Sequence, residues 1–167
     1  MKKILLSLLT LLAFTFNLYA ENMEMFDTDG KSYKVLGDGN KLEIEGMEDK
    51  VVFLEFFGLK CPACKQLMPN LINIQEKYKD KVQIMAIEVQ KADVDPINAY
   101  KKEHKINYIT LSNYDVGRVV RYVMEKSGWK GAIPFLVAIN SKGQVQFAQA
   151  GVMSEEDLAK YVEEFSK

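Results

Sequence analysis

The sequence predicts an α/β protein in which helices cover both faces of a mixed β-sheet. Three observations carry that reading. Val51 to Phe57 is a continuous apolar run broken only by Glu55, with the length and Val/Phe content of a strand buried on both faces. Val82 to Val89 reads as a second buried strand. Between them Leu67, Leu71, Ile74 and Tyr78 recur along one face of a helix.

The remaining elements follow in order. Residues 21–30 are polar and acidic and end in the turn pair Asp29-Gly30, with no strand expected among them. Ser32 to Leu36 and Lys41 to Ile44 read as short strands joined by a hairpin turn at Gly37-Asp38-Gly39-Asn40. The first helix is expected from Pro62, where a missing N–H is harmless, to Tyr78, with a kink at Pro69. Asp95-Pro96 opens a second helix reaching His104, Tyr108 to Leu111 is a short strand, and Asp115 to Ser127 is a third helix carrying Val119, Val120 and Val123. Ile133 to Ile139 is the next strand. Ser141-Lys142-Gly143 turns the chain, and Gln144 to Gln149 returns antiparallel. Ser154, with Asp157 three residues on, caps a last helix ending near Phe165. No repeat, low-complexity tract or linker divides the chain, so residues 21–167 are expected to form a single domain.

The first twenty residues stand apart. Lys2 and Lys3 precede an apolar run from Ile4 to Leu18, interrupted only by Ser7, Thr10, Thr15 and Asn17, and Ala20 offers a small residue for cleavage. That is the layout of a secretory signal peptide over residues 1–20, and the run is short of the roughly 20 residues needed to span a bilayer. An uncleaved anchor is the alternative. The expectation is an exported, periplasmic protein, soluble once the leader is removed. With 22 Lys+Arg against 23 Asp+Glu there is no basic excess to bind phosphates, so nucleic acid is not an expected partner. Two Cys and one His exclude a disulfide-dense scaffold and a self-contained four-ligand zinc site.

Chemistry concentrates in Cys61-Pro62-Ala63-Cys64, where the buried strand ends and a helix begins. A helix N-terminus stabilises an anion, so a Cys61 thiolate there should form more readily than at the free-thiol pKa of about 8.5. Cys64 lies one turn deeper and is close enough to close a disulfide. An outer thiol that attacks and an inner thiol that resolves make a working dithiol. Half a metal site would have only His104 as a spare soft ligand. A purely structural disulfide would close a tiny loop and stabilise little. Haem attachment needs His after the second Cys, where Lys65 stands.

The segment Phe53-Leu54-Glu55-Phe56-Phe57-Gly58-Leu59-Lys60-Cys61-Pro62-Ala63-Cys64-Lys65-Gln66-Leu67-Met68-Pro69 resembles the active-site segment of the thioredoxin superfamily. Gly131-Ala132-Ile133-Pro134 before a strand resembles its cis-proline loop, and Gly151-Val152-Met153-Ser154 the glycine turn before its final helix. The stretch between Val89 and Pro134 holds more than the one helix of thioredoxin itself. This extra central βα insertion, with the leader, is similar to the exported TlpA/ResA/CcmG branch, usually reductases serving cytochrome c maturation or other periplasmic thiols. Where the family carries Trp before the first Cys, this chain has Lys60.

The resemblance implies a thioredoxin-like fold and roles for named residues. Cys61 is the nucleophile, Cys64 the resolving thiol and Glu55 a proton relay, a lone carboxylate in an apolar strand whose burial should raise its pKa. A solvent-facing Glu55 is the alternative. Ile133 and Pro134 form the substrate-docking loop, with Lys60 and Gly151 beside it. Trp129 lines that groove or belongs to the core; His104, among lysines, reads as solvated. The redox group is the Cys61–Cys64 pair, so no cofactor and no metal are expected. Protein thiols and disulfides are the expected partners, apocytochrome c among them, with a membrane electron donor and a monomeric state. Two rivals stand: an oxidase of the same fold, and a copper or other metal carrier using the Cys pair. The superfamily's copper chaperones space their Cys by three residues and add a late His, neither of which is present. Pro62-Ala63 lacks the His that strong oxidants use between their cysteines, which favours reduction.

Overall fold

A computed structural model describes residues 20–167. The leader expected at the N-terminus lies outside the described residues, except for Ala20. Among the described residues, twelve elements run in the order β1 (Glu21–Phe26), β2 (Ser32–Asp38), β3 (Lys41–Ile44), β4 (Val51–Phe57), α1 (Pro62–Lys77), β5 (Val82–Glu88), α2 (Val94–Glu103), β6 (Ile109–Ser112), α3 (Asn113–Ser127), β7 (Phe135–Ile139), β8 (Val145–Ala150) and α4 (Glu155–Phe165).

The central sheet has the order β6-β5-β4-β7-β8. β4, β5 and β6 are parallel, and β7 and β8 are each antiparallel to the strand before them in that order. β4 is therefore the middle strand, and its seven residues are all buried, as the apolar run requires. Its side chains alternate between two cores. Val51, Phe53 and Phe57 pack with α1, α2 and α4, whereas Val52, Leu54 and Phe56 face α3 and the N-terminal strands. Gln75 of α1 pins the helix to β5 by accepting from Ile84 N (2.8 Å) and donating to the Val82 carbonyl (3.2 Å).

The N-terminal lead-in is the main departure from expectation. Residues Glu21–Phe26 form a strand, and β1, β2 and β3 make an antiparallel three-stranded sheet. The physical reason is a period of two. Met23 and Met25 point inward and are buried, while Asn22, Glu24 and Phe26 point out. Helices thus do not cover the second face alone; this small sheet covers it together with α3. The turn after β1 also seals the outer edge of β6, with Thr28 N donating to the Thr110 carbonyl (2.9 Å) and the two threonine hydroxyls 2.8 Å apart.

Smaller shifts have local causes. The hairpin turn tightens to Gly39-Asn40, because Asp38 and Lys41 already pair. α3 starts before Asp115 because the Ser112 hydroxyl accepts from Tyr114 N. β7 starts at Phe135, after Ile133 and Pro134. α1 runs through Pro69 without interruption. Ser154 caps α4 as expected, accepting from Asp157 N at 3.1 Å.

Candidate active site

Because β4, β5 and β6 are parallel and β7 opposes β4, the loops 58–61, 89–93, 128–134 and 151–154 meet at one end of the sheet. The two cysteines sit there and are joined by a disulfide, their Cα atoms 5.2 Å apart. Cys61 is the N-cap of α1. Its Sγ accepts from Cys64 N at 3.1 Å, so a first-turn N–H of the helix points at this sulfur. Cys64, one turn in, is 2 % exposed and Cys61 7 %, so Cys61 is the less buried residue of the pair.

The loop before β7 closes over the pair. The Ile133–Pro134 peptide bond is cis, and the Ile133 carbonyl oxygen lies 3.8 Å from Cys61 Sγ. Gly151 holds the far side of this loop by donating its N–H to the Pro134 carbonyl at 2.9 Å. It does so at φ +116°, a backbone that a side chain would strain. Trp129 stacks on Phe135 at 4.9 Å, tilts against Phe56 at 4.7 Å, and donates Nε1–H to the Ala132 carbonyl at 2.7 Å. It is buried behind the loop, which resolves the choice between groove and core in favour of the core.

Glu55 lies mid-strand in β4, between Ala86 of β5 and Leu136 of β7, and is 2 % exposed. It occupies the α1 side of the sheet between Phe53 and Phe57, the side on which both cysteines pack. Burial pushes its carboxyl up to about 8. The Tyr100 and Tyr108 phenols are also raised, first by their own burial and then by the Glu55 charge that they face. The solvent-facing alternative for Glu55 is thereby excluded.

The model of the Redoxin family matches residues 20–164. The chain belongs to the Redoxin family. With its Cys61-Pro62-Ala63-Cys64 motif it is a thiol–disulfide oxidoreductase of the thioredoxin superfamily. It is similar to the thiol–disulfide oxidoreductase ResA of Bacillus subtilis, 27 % identical over 144 residues, which span 86 % of this chain and 72 % of the relative. ResA of Halalkalibacterium halodurans is 23 % identical over 127 residues, 75 % of this chain and 68 % of the relative. Among solved structures, a thiol:disulfide interchange protein from Chlorobium tepidum superposes with a TM-score of 0.69 at 18 % identity, covering 89 % of this chain and 95 % of that one. StoA from Bacillus subtilis superposes at 0.62 with 16 % identity, covering 86 % and 98 %. These two likenesses show the fold, a mixed sheet flanked by helices.

The redoxin site includes residues that the sequence did not single out. Gln90, on the β5–α2 loop, reaches across to the turn before Cys61. Its Oε1 accepts from Lys60 N at 3.3 Å, and its side chain fills the space where a Cβ on Gly58 would sit, 2.3 Å away. Glu88 is fully buried at the end of β5 and holds the same loop by accepting from Ala92 N at 2.8 Å. As the last charge in an otherwise buried strand, Glu88 carried the signal that marked Glu55; Gln90 carried none. The Lys60 side chain is exposed, and its backbone N–H is the group that Gln90 holds. His104 is half-buried, its ring 4.2 Å from that of Tyr100, rather than free in solvent. Among the described residues no group of three or more His, Cys, Asp or Glu is placed to hold a metal ion.

Proposed function

We propose that this redoxin is an exported reductant of protein disulfides that acts, without a bound cofactor, through the Cys61–Cys64 pair. The observation that carries the reading is the placement of Cys61. It caps α1, accepts a first-turn N–H, is the less buried residue of the pair, and lies against the Ile133 carbonyl. A helix N-terminus favours the thiolate that attacks.

In the reduced protein, the Cys61 thiolate attacks one sulfur of a substrate disulfide. A mixed disulfide forms, and the other substrate sulfur leaves as a thiolate and takes a proton. Cys64, deprotonated by Glu55, then attacks Cys61 Sγ. The Cys61–Cys64 disulfide forms and the second substrate sulfur leaves as a thiol. Two electrons pass from the dithiol to the substrate. Glu55 suits the deprotonation because a carboxyl held near 8 exchanges its proton close to neutral pH. The backbone at Ile133 and Pro134, with Gly151 behind it, offers an extended substrate a strand-like edge beside the sulfurs. A membrane electron donor would regenerate the dithiol, and apocytochrome c is the substrate that the resemblance to the exported TlpA/ResA/CcmG branch suggests. The protein works as a soluble monomer once its leader is removed.

The test is the reduction potential of the Cys61–Cys64 couple against glutathione or a reference thioredoxin. A value near the thioredoxin potential of about −270 mV supports the reductant. A value near the DsbA potential of about −120 mV would assign the protein to disulfide introduction instead.

A further inference from the structure

The loops that meet at the dithiol carry a charge opposite in sign to that of the chain. The whole sequence has a formal charge of −1, and two of its cations, Lys2 and Lys3, belong to the expected leader. On the loops 58–61, 89–93, 128–134 and 151–154 the charged residues are Lys60, Lys91, Lys130 and Asp93. The three lysines are exposed, and among the described residues their ammonium groups make no hydrogen bond or ion pair. Asp93 and Asp95 lie further along the second loop and in the first turn of α2. The first turn of α4 carries three acids, Glu155, Glu156 and Asp157, but it packs further down α1, where Glu155 accepts from Asn73 Nδ2 at 2.9 Å, twelve residues along the chain from Cys61.

Contacts at this end of the sheet hold the backbone of these lysines in the loops beside the cysteines. Gln90 ties its loop to Lys60 N, so Lys91 follows directly on the residue that touches the turn before Cys61. Glu88 and the Ser112 hydroxyl hold the same loop at both polar atoms of the Ala92 backbone, at 2.8 and 3.2 Å. Lys130 lies between Trp129, anchored to the Ala132 carbonyl, and Ile133, whose carbonyl abuts Cys61 Sγ. Pro62, Ala132 and Val152, the last 46 % exposed, add apolar surface to the same end.

We infer that the surface around Cys61 docks an acidic protein segment, one whose disulfide is flanked by Asp and Glu. This rests on the reading that Cys61 exchanges with protein disulfides. Exposed charges at such a rim act on the rate of encounter more than on the stability of the complex, and salt screens them.

The test uses pre-reduced protein and two peptides that share one intramolecular disulfide loop, flanked by Glu in one and by Lys in the other, with neutral 4,4′-dithiodipyridine as a third substrate. At low ionic strength the acidic peptide should be reduced about tenfold faster than the basic one, and the difference should collapse near 1 M salt, where the screening length is ~3 Å. The double variant Lys91→Gln, Lys130→Gln should lose most of the preference while its rate with dithiodipyridine stays unchanged. Equal rates for the two peptides, or a faster basic peptide, would overturn the inference and leave the oxidoreductase reading intact. Absence of exchange with all three substrates would overturn that reading and this inference with it.

Discussion

Leu54 and Glu55 are neighbours on the central strand, yet they face opposite sides of the sheet. Leu54 looks toward α3 and the N-terminal sheet, into a core of Met23, Met25, Val35, Met85, Val119 and others, in which Tyr33, Tyr122 and Trp129 carry the polar atoms. Glu55 looks toward α1, into a core that holds both cysteines and in which Tyr100 and Tyr108 also bury phenols. Apolar burial contributes roughly 25 cal/mol per Å². A carboxyl with no ion-pair partner in the same low-polarity space costs free energy as soon as it ionises. Both sides of β4 hold the molecule together, but the α1 side also gives up stability to bury a titrating carboxyl on the face where the cysteines pack.

The sharpest break of this comparison removes the sulfurs themselves. Cys61→Ser should abolish reduction of a protein disulfide such as insulin, whereas Cys64→Ser should accumulate mixed disulfides detectable on a non-reducing gel, since attack proceeds and resolution does not. Full turnover by Cys64→Ser would reverse the assigned roles. On the opposite face, Leu54→Ala should lower the unfolding free energy by about 2–5 kcal/mol, through lost transfer energy and a cavity. Its rate per folded molecule should be unchanged. A denaturant titration alongside a rate measurement tests both halves, and a slowed rate at full folding would show that the two faces are not independent.

Glu55→Gln should act in the opposite sense. Between the ordinary carboxyl value of 4.5 and about 8, the folded chain holds a proton that the unfolded chain has lost. The unfolded state binds fewer protons there, so stability falls as pH rises through this window and levels off above it. The amide removes that slope. At pH 7 the variant should be more stable than the parent by roughly 2–3 kcal/mol, and the gain should vanish near pH 4. Resolution of the mixed disulfide should slow, with the first alkylation of Cys61 nearly unaltered. Denaturant midpoints at pH 4, 5.5 and 7, set beside turnover between pH 6 and 8, decide this; parallel stability curves would mean that Glu55 ionises freely.

What the sequence made legible follows the same division. β4, α1 and the dithiol at their junction were readable because local signals agree there: an apolar run, helical spacing, a proline at the first turn and two cysteines one turn apart. Glu55 stood out as the one charge in its run. β1 was missed because its outward residues are Asn and Glu, and composition masked the inward alternation of Met23 and Met25. Gln90 could not be found, because its role depends on how close the β5–α2 loop comes to Gly58, a distance fixed by the packing of two parallel strands. Trp129 was ambiguous for a related reason: only the ring of Phe135 beneath it and the carbonyl of Ala132 beside it decide which way an indole turns.

That indole tests whether the Leu54 face ever reaches the chemistry. Trp129 belongs to the apolar core beside Leu54, yet its Nε1–H ends on the loop that carries Ile133 and Pro134. Trp129→Phe keeps an aromatic ring against Phe56 and Phe135 and removes this one hydrogen bond, leaving the Ala132 carbonyl, on an exposed residue, free to take water. The stability cost should be about 1–3 kcal/mol, most of it from the space the smaller ring leaves, because a hydrogen bond exchanged for water contributes little net. If the bond also fixes the loop, KM for a peptide disulfide should rise severalfold, while the alkylation rate of Cys61, which depends on the start of α1, should not move. A loss confined to stability would return Trp129 to the Leu54 side of the comparison. A change in Cys61 alkylation would mean instead that the indole supports the start of α1 as well as the loop.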